Sequence, residues 1–388
     1  MAATDVAGGQ GAITLVNTAT AGSLAMFTHR ANPIVGKDSG VTAFVDDASA
    51  GSATFINEAA VISGGTSGVT NFFSKTTAAQ GVFINDGSAV NGAIGGSTSF
   101  LLNSRAASAI LIANGGSNGG DGGRIAFFDT ATGDTARVEL VGNGLLDLTV
   151  RKSKVLTLGS IEGDGLINLG SVNLVVGGSN LTTTFSGVIL EGQSGSGSLT
   201  KSGTGTLVLS GASIYTGATI VSAGALQVAN KTGSATGTGA VKVSAGILGG
   251  NGIIAGPVTV GTGSGAGAFL TPGQGARRPA ALTIQSALTF KADATYVCTL
   301  NSKKAKADQV VANGITIESG AQFSLNTVAN KKLTPGQIFS AISNTSAGPI
   351  SGTFANLPDG STFTAGRNSF QVSYKSGDGN DLTLTVVP

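Results

Sequence analysis

Between residues 11 and 143 the chain repeats itself. With Gly11, Gly40, Gly68, Gly96 and Gly123 placed in register, the steps are 29, 28, 28 and 27 residues. Two apolar columns then align without gaps. Four residues after each glycine stand Leu15, Phe44, Phe72, Phe100 and Phe127, and fifteen after stand Met26, Phe55, Phe83, Leu111 and Val138. A chain that returns the same residue type to the same phase five times is built of stacked units that share one continuous core. The apolar runs are too short for helices and rich in β-branched residues, so each unit is a coil of short strands. The expected fold is all-β, a single-stranded parallel β-helix (β-solenoid), with Phe rings stacked in ladders as its core filling.

Two further columns accompany the ladders. Asn57 and Asn85 lie seventeen residues after their glycines and Asn114 eighteen. They are expected at coil corners, since Asn tolerates left-handed backbone and its stacked amides can hydrogen-bond along the stack. Directly after the first ladder come Val16, Val45, Phe73, Leu101 and Phe128. Neighbouring strand residues face opposite ways. Either a corner or bulge separates the two columns, or these five residues form an exposed apolar stripe, a candidate lateral-contact surface.

From Leu145 to Ser194 the period loosens while the texture persists, and a distinctive phrase begins at Gly195: GSGSLTKSGTGTLVLSGASIYTGATIVSAGALQV, ending at Val228. It resembles the passenger-associated strand repeat of bacterial autotransporters and related exported β-helix proteins. Gly249 to Gly256 (GGNGIIAG), Ala307-Asp308-Gln309-Val310 and the closing run Phe354 to Val387 are similar to later parts of such chains, with Ile253 where Thr is more usual. The resemblance implies a right-handed coil, export to the extracellular space or bacterial outer surface, and a C-terminal capping β region with hairpin-like strands at Ser369 to Tyr374 and Asp381 to Val386. The expected organisation is 1–150, coils of about 28 residues; 151–260, coils containing the passenger-type repeat; 261–280, a loose loop; 281–388, last coils and cap. At about 4.8 Å per coil, such a rod would be on the order of 70 to 90 Å long. Met1 to Gln10 lacks the basic start and apolar run of a signal peptide, and no outer-membrane barrel follows Pro388, so export signal and barrel are expected to have been removed or omitted.

Composition narrows the function. Glycine at 62 of 388 residues without a G-X-Y period excludes collagen, and 41% hydrophobic residues exclude disorder. A net charge of +2 gives no electrostatic case for nucleic acid, and no stretch inserts directly into a membrane. The basic clusters Arg151-Lys152-Lys154, Arg277-Arg278 and Lys303-Lys304-Lys306 are expected at solvated loops or edges. The one cysteine, Cys298, excludes an intrachain disulfide and is expected as a buried strand residue.

Carboxylates are scattered. Asp46 with Asp47, and Asp129 with Asp134, are the nearest approaches to a catalytic pair. His29 is expected in a solvated turn, and Gly119 to Gly122 and Gly377 to Asp381 as acidic turns in place of tandem calcium repeats. Phosphate and dinucleotide loops fail because no helix follows the glycines. No catalytic residue, cofactor or metal is therefore expected. The preferred function is a non-enzymatic exported structural rod that self-associates as a surface or extracellular filament subunit. An adhesin-type passenger binding a host or matrix glycan is the alternative, and a polysaccharide-active enzyme the third.

Overall fold

The computed structural model describes residues 11–192, 195–265, 267–273 and 279–388, all of them strand, turn or loop without a helix. The chain divides into two compact units, Met1–Leu199 and Thr200–Pro388.

The first unit is built of coils that each contribute one strand to each of two sheets. The strands are β1 (Ala12–Leu15), β2 (Met26–His29), β3 (Val41–Phe44), β4 (Thr54–Asn57), β5 (Val69–Phe72), β6 (Val82–Asn85), β7 (Ser97–Phe100), β8 (Ile110–Ala113), β9 (Arg124–Phe127), β10 (Arg137–Leu140) and β11 (Leu145–Asp147). Odd strands pair in parallel with odd, even with even. The register Leu15–Phe44–Phe72–Phe100–Phe127 is the one the repeat predicts. Beyond β11, the strands Leu166–Asn168 and Val188–Leu190 continue the odd sheet, and Val155–Leu158 with Asn173–Val176 opens a third side.

Inside, the ladders are physical stacks. Ring centroids lie 4.4 Å apart for Phe44–Phe72, 4.9 Å for Phe72–Phe100 and 4.7 Å for Phe100–Phe127. The second ladder stacks Phe55 on Phe83 at 4.9 Å, and the two meet edge to face, Phe72 against Phe83 at 5.4 Å. The rings of Phe44, Phe55, Phe72, Phe83, Phe100 and Phe127 are fully buried, each contributing roughly 1.5–3 kcal/mol of apolar transfer. At the first coil the assignment shifts by one: Phe27, not Met26, pairs with Phe55 and stacks on it at 4.8 Å, while Met26 is 59% exposed. The odd sheet advances by 29 residues here and the even sheet by 28, so the extra residue lies between Leu15 and Met26.

The asparagines are not at corners. Asn57 ends β4 and Asn85 ends β6, both wholly buried, and the residue in register on β2 is His29, also buried. Asn114 falls one place past Ala113, outside that column, and bonds the Asp86 carboxylate. Alternation forces this result, because Phe55 and Asn57 are two apart and share a face. The buried polar groups satisfy one another. His29 Nδ1 lies 2.6 Å from Asn57 Oδ1 and Nε2 lies 2.7 Å from Thr42 Oγ1. Asn57 Nδ2 donates to Asn85 Oδ1 at 2.8 Å, and Asn85 Nδ2 donates to the Ile112 carbonyl at 3.0 Å. Thr70 and Thr98 donate to the same two amide oxygens. An amide oxygen only accepts, so Nδ1 carries the imidazole proton and Nε2 takes one from Thr42.

Burial pushes the His29 pKa below its ordinary 6.5, against the opposing hydrogen bond that His29 donates to Asn57. The unfolded chain therefore binds a proton that the folded chain refuses, and stability rises with pH across that window. This contribution is complete above pH 6.5 and is lost as pH falls toward the folded pKa. The expected outcome is that the denaturation midpoint of the first unit drops as pH is lowered below about 6.5, and that His29→Asn flattens this slope. An equal slope in both proteins would contradict it.

The second unit has three parallel stacks. One runs through Thr206–Leu209, Ala225–Val228, Gly246–Gly250, Ala268–Pro272, Ala294–Asn301 and Gln322–Val328. Another runs from Thr219–Val221 to Ile315–Ile317, and the third from Ile253–Ile254 to Ile338–Asn344. The segment expected as a loose loop therefore contains a core strand, Ala268–Pro272. Its first part, Gly261 to Gly265, folds over the Asp293 carboxylate, which accepts from the amides of Thr262, Gly263 and Gly265 at 2.7–3.2 Å. Desolvation works to raise the Asp293 pKa, and those amides outweigh it, holding the carboxyl at about 2. Ile338–Asn344 then pairs antiparallel with Asp381–Val387, which pairs with Asn368–Ser376, as the predicted cap requires.

Candidate contact surface

The stripe faces outward. Strand pairing continues one residue past each Phe: Val45 N–H donates to the Leu15 carbonyl at 2.9 Å, Phe73 to Phe44 at 2.9 Å, Leu101 to Phe72 at 2.9 Å and Phe128 to Phe100 at 2.8 Å. The corner comes one position later, where Asn17, Asp46, Ser74, Leu102 and Asp129 all take positive φ between 46° and 63°. No corner separates the ladder from the stripe. Val16 is 44% exposed, and Val45, Phe73, Leu101 and Phe128 are half-buried in their own stack.

A second outward apolar surface lies on the even sheet. On β4, β6 and β8 the residues between the buried ones are Ile56, Val82, Ile84, Ile110 and Ile112, all half-buried and in register across the coils. Its trace in sequence is a failure of alternation, because Val82-Phe83-Ile84 and Ile110-Leu111-Ile112 are apolar on both faces. The loops beside these strands add Ile34, Val35, Val61 and Ile94, each 46–64% exposed.

Charge is distributed to match. Residues 11–104 hold eight charged side chains, residues 105–164 thirteen. The later coils tie theirs into ion pairs: Arg105–Asp134 at 2.9 Å, Arg124–Asp147 at 2.6 Å, Lys152–Asp129 at 2.8 Å, and Arg137 with Glu162. Coils one to four thus form an apolar collar above a charged, salt-bridged segment of the same unit.

The acidic candidates do not converge. Asp46 and Asp129 occupy one corner column three coils apart, about 14 Å by coil spacing. Asp134 pairs with Arg105, and the exposed Asp47 donates its backbone N–H to Asn17. Among the described residues no group of three His, Cys, Asp or Glu side chains could hold a metal ion. Gly377 to Asp381 is the turn of the terminal hairpin, with Asp381 accepting from the Asn344 amide.

One of the remaining expectations is overturned. Arg151 is buried, not solvated, and donates to the carbonyls of Ala131 and Val155; desolvation lowers its pKa to about 10. Lys303 and Lys304 are exposed at the turn before Lys306–Ala307, as expected, and Arg277-Arg278 and Met1 to Gln10 lie outside the described residues. Cys298 is buried, its thiol donating to the Asp308 carbonyl, and desolvation raises its pKa well above the ordinary value.

The passenger-type phrase has a geometry of its own. Lys201, a residue type ordinarily found at the surface, is buried and donates from Nζ to the carbonyls of Ser202, Gly203 and Ala223 at 2.5–3.3 Å. Tyr215 is fully buried with its hydroxyl 2.5 Å from Thr219 Oγ1, which explains the Y-T-G-x-T spacing as one closed corner. Gly224, at φ 65°, lies against the Lys201 ammonium, where a Cβ would stand 2.8 Å from Nζ. Residues 199–228 match the family described as Passenger-associated-transport-repeat. The chain carries a passenger-associated transport repeat. The repeat is that of autotransporter passengers, proteins secreted to the cell surface or extracellular space, and here it supplies the Lys201 and Tyr215 anchors of the second unit. A comparison with curated proteins gives no match.

Proposed function

We propose that the chain is a non-enzymatic passenger displayed at the bacterial outer surface, and that it works by self-association through the apolar collar of its first unit. The observation that carries this is the in-register apolar surface on more than one side of coils one to four. Stable interfaces bury about 800 Å² per partner, and the stripe alone, about 20 Å long and one side chain wide, falls short of that. The β4-β6-β8 face and the flanking Ile and Val residues supply the remainder. Sparse charge there removes the desolvation cost that opposes association elsewhere on the surface.

Light scattering of the purified chain, diluted from about 100 µM to about 1 µM, is expected to show mass falling with dilution. Electron micrographs of the concentrated sample are expected to show laterally associated assemblies. Ile84→Lys combined with Phe73→Lys is expected to give the monomer mass throughout, with thermal unfolding retained. A wild-type chain that is monomeric at every concentration overturns the proposal.

A further inference from the structure

A groove runs along the outer face of the odd sheet, away from the β4-β6-β8 face. Two depressions of about 460 Å³ and 310 Å³ share Ser67, Ile94 and Ser97 and so form one channel. Its floor is a single register column, Val41, Val69, Ser97, Arg124, Leu145 and Leu166, which advances one coil at a time. Its wall is the loop side, with Thr66, Ser67, Asp121 and Asn143.

The chemistry of this lining is selective. Hydroxyl and amide groups, which both donate and accept, alternate with apolar patches at Val69, Ile94 and Leu145. Arg124 is 40% exposed by side chain, yet its guanidinium is committed to Asp147 through Nε and Nη2 and lies 5.8 Å from the Phe128 ring centroid. With Arg124 neutralised, Asp38 and Asp121 leave the groove weakly acidic, which disfavours a polyanion. The floor is the face of a sheet whose strands are already paired, so it offers no backbone donors or acceptors to an added peptide strand.

We propose that this groove binds a neutral polysaccharide lying along the coil axis. The coil spacing of about 4.8 Å is close to the length of one pyranose unit in an extended chain, so successive sugars would meet equivalent positions of successive coils. Sugar hydroxyls pair with Ser97 and Asn71, while the Asn143 amide is held by Gly116 N–H and the Gly120 carbonyl, and C–H faces rest on Val69, Ile94 and Leu145. The rigid sheet keeps the ordering cost low. The groove lies on the same sheet face as the stripe and shares Ile94 with the collar, whereas Ile84 lies on the other sheet.

The test titrates cellohexaose, chitohexaose and maltohexaose separately into the full chain by calorimetry, beside hexagalacturonate and a threonine-rich peptide of similar length. Wild type is expected to bind at least one neutral hexasaccharide saturably with Kd of about 1 mM or tighter. Ser97→Trp, at a half-exposed position, is expected to weaken that binding about tenfold or more while leaving the melting temperature unchanged, and hexagalacturonate is expected to bind about tenfold more weakly than the neutral ligand. Failure of all three neutral ligands to saturate, binding unaffected by Ser97→Trp, or preference for the acidic sugar or the peptide each overturns the proposal.

Discussion

Gly96→Ala is expected to destabilise the first unit by about 3 kcal/mol or more, at the upper end of overpacking effects. Gly96 is one of the five glycines that set the repeat, and its φ is not the reason for it. The chain returns there to begin β7 alongside the end of β4, so an added Cβ would overlap the Asn57 carbonyl oxygen and stand 2.7 Å from its carbon. Gly123 stands in the same relation to Asn85, and Gly68 to His29. The obstructing atoms are backbone already engaged in sheet pairing, with Asp86 N–H on the Asn57 carbonyl, so relief requires two coils to separate. Urea unfolding followed by circular dichroism measures the loss. A cost below about 1 kcal/mol would show that the crossover has room to give.

Phe72→Ala is expected to cost about 3–5 kcal/mol, the range for emptying a buried aromatic site. Phe72 stacks between Phe44 and Phe100 and meets Phe83 edge on, so all its partners are themselves fixed by ladders and cannot collapse into the cavity. In a stacked-coil protein each unit is held chiefly by its neighbours. Hydrogen exchange should therefore speed up in β3, β5 and β7 first, while strands of the second unit keep their protection. Uniform acceleration along the whole chain would contradict that local coupling.

Much of this architecture is legible from residue types alone, and the misses have identifiable causes. The Phe ladders and odd-sheet register follow from spacing, because a parallel coil returns like residues to like positions. Met26 was placed one residue off because a single spacing was carried around a coil whose two sheets advance differently. His29, Asn57 and Asn85 look like corner or solvent residues by type. Only their phase relative to Phe55 and Phe83 points them inward, and only mutual hydrogen bonding makes that burial tolerable. The stripe was legible as a column but not in direction, since the corner position depends on positive-φ residues as varied as Asn17, Ser74 and Leu102. The β4-β6-β8 face and the groove arise from which columns lie side by side on an outer surface. Lys201 reads as a surface residue until three backbone carbonyls are found around its ammonium.

The most direct test of the account is whether outward residues one coil apart are neighbours in space, since both collar and groove are built of such columns. Ala43, Asn71 and Ser99 form one outward column in successive register. Nitroxide pairs would be placed at Ala43 and Asn71, and at Ala43 and Ser99, in a Cys298→Ser background diluted with unlabelled protein. Strong dipolar and exchange broadening is expected for the first pair, at about 5 Å backbone spacing, and weaker broadening for the second, at about 10 Å. Equal, narrow spectra for both pairs would contradict the stacked-coil register on which every surface described above depends.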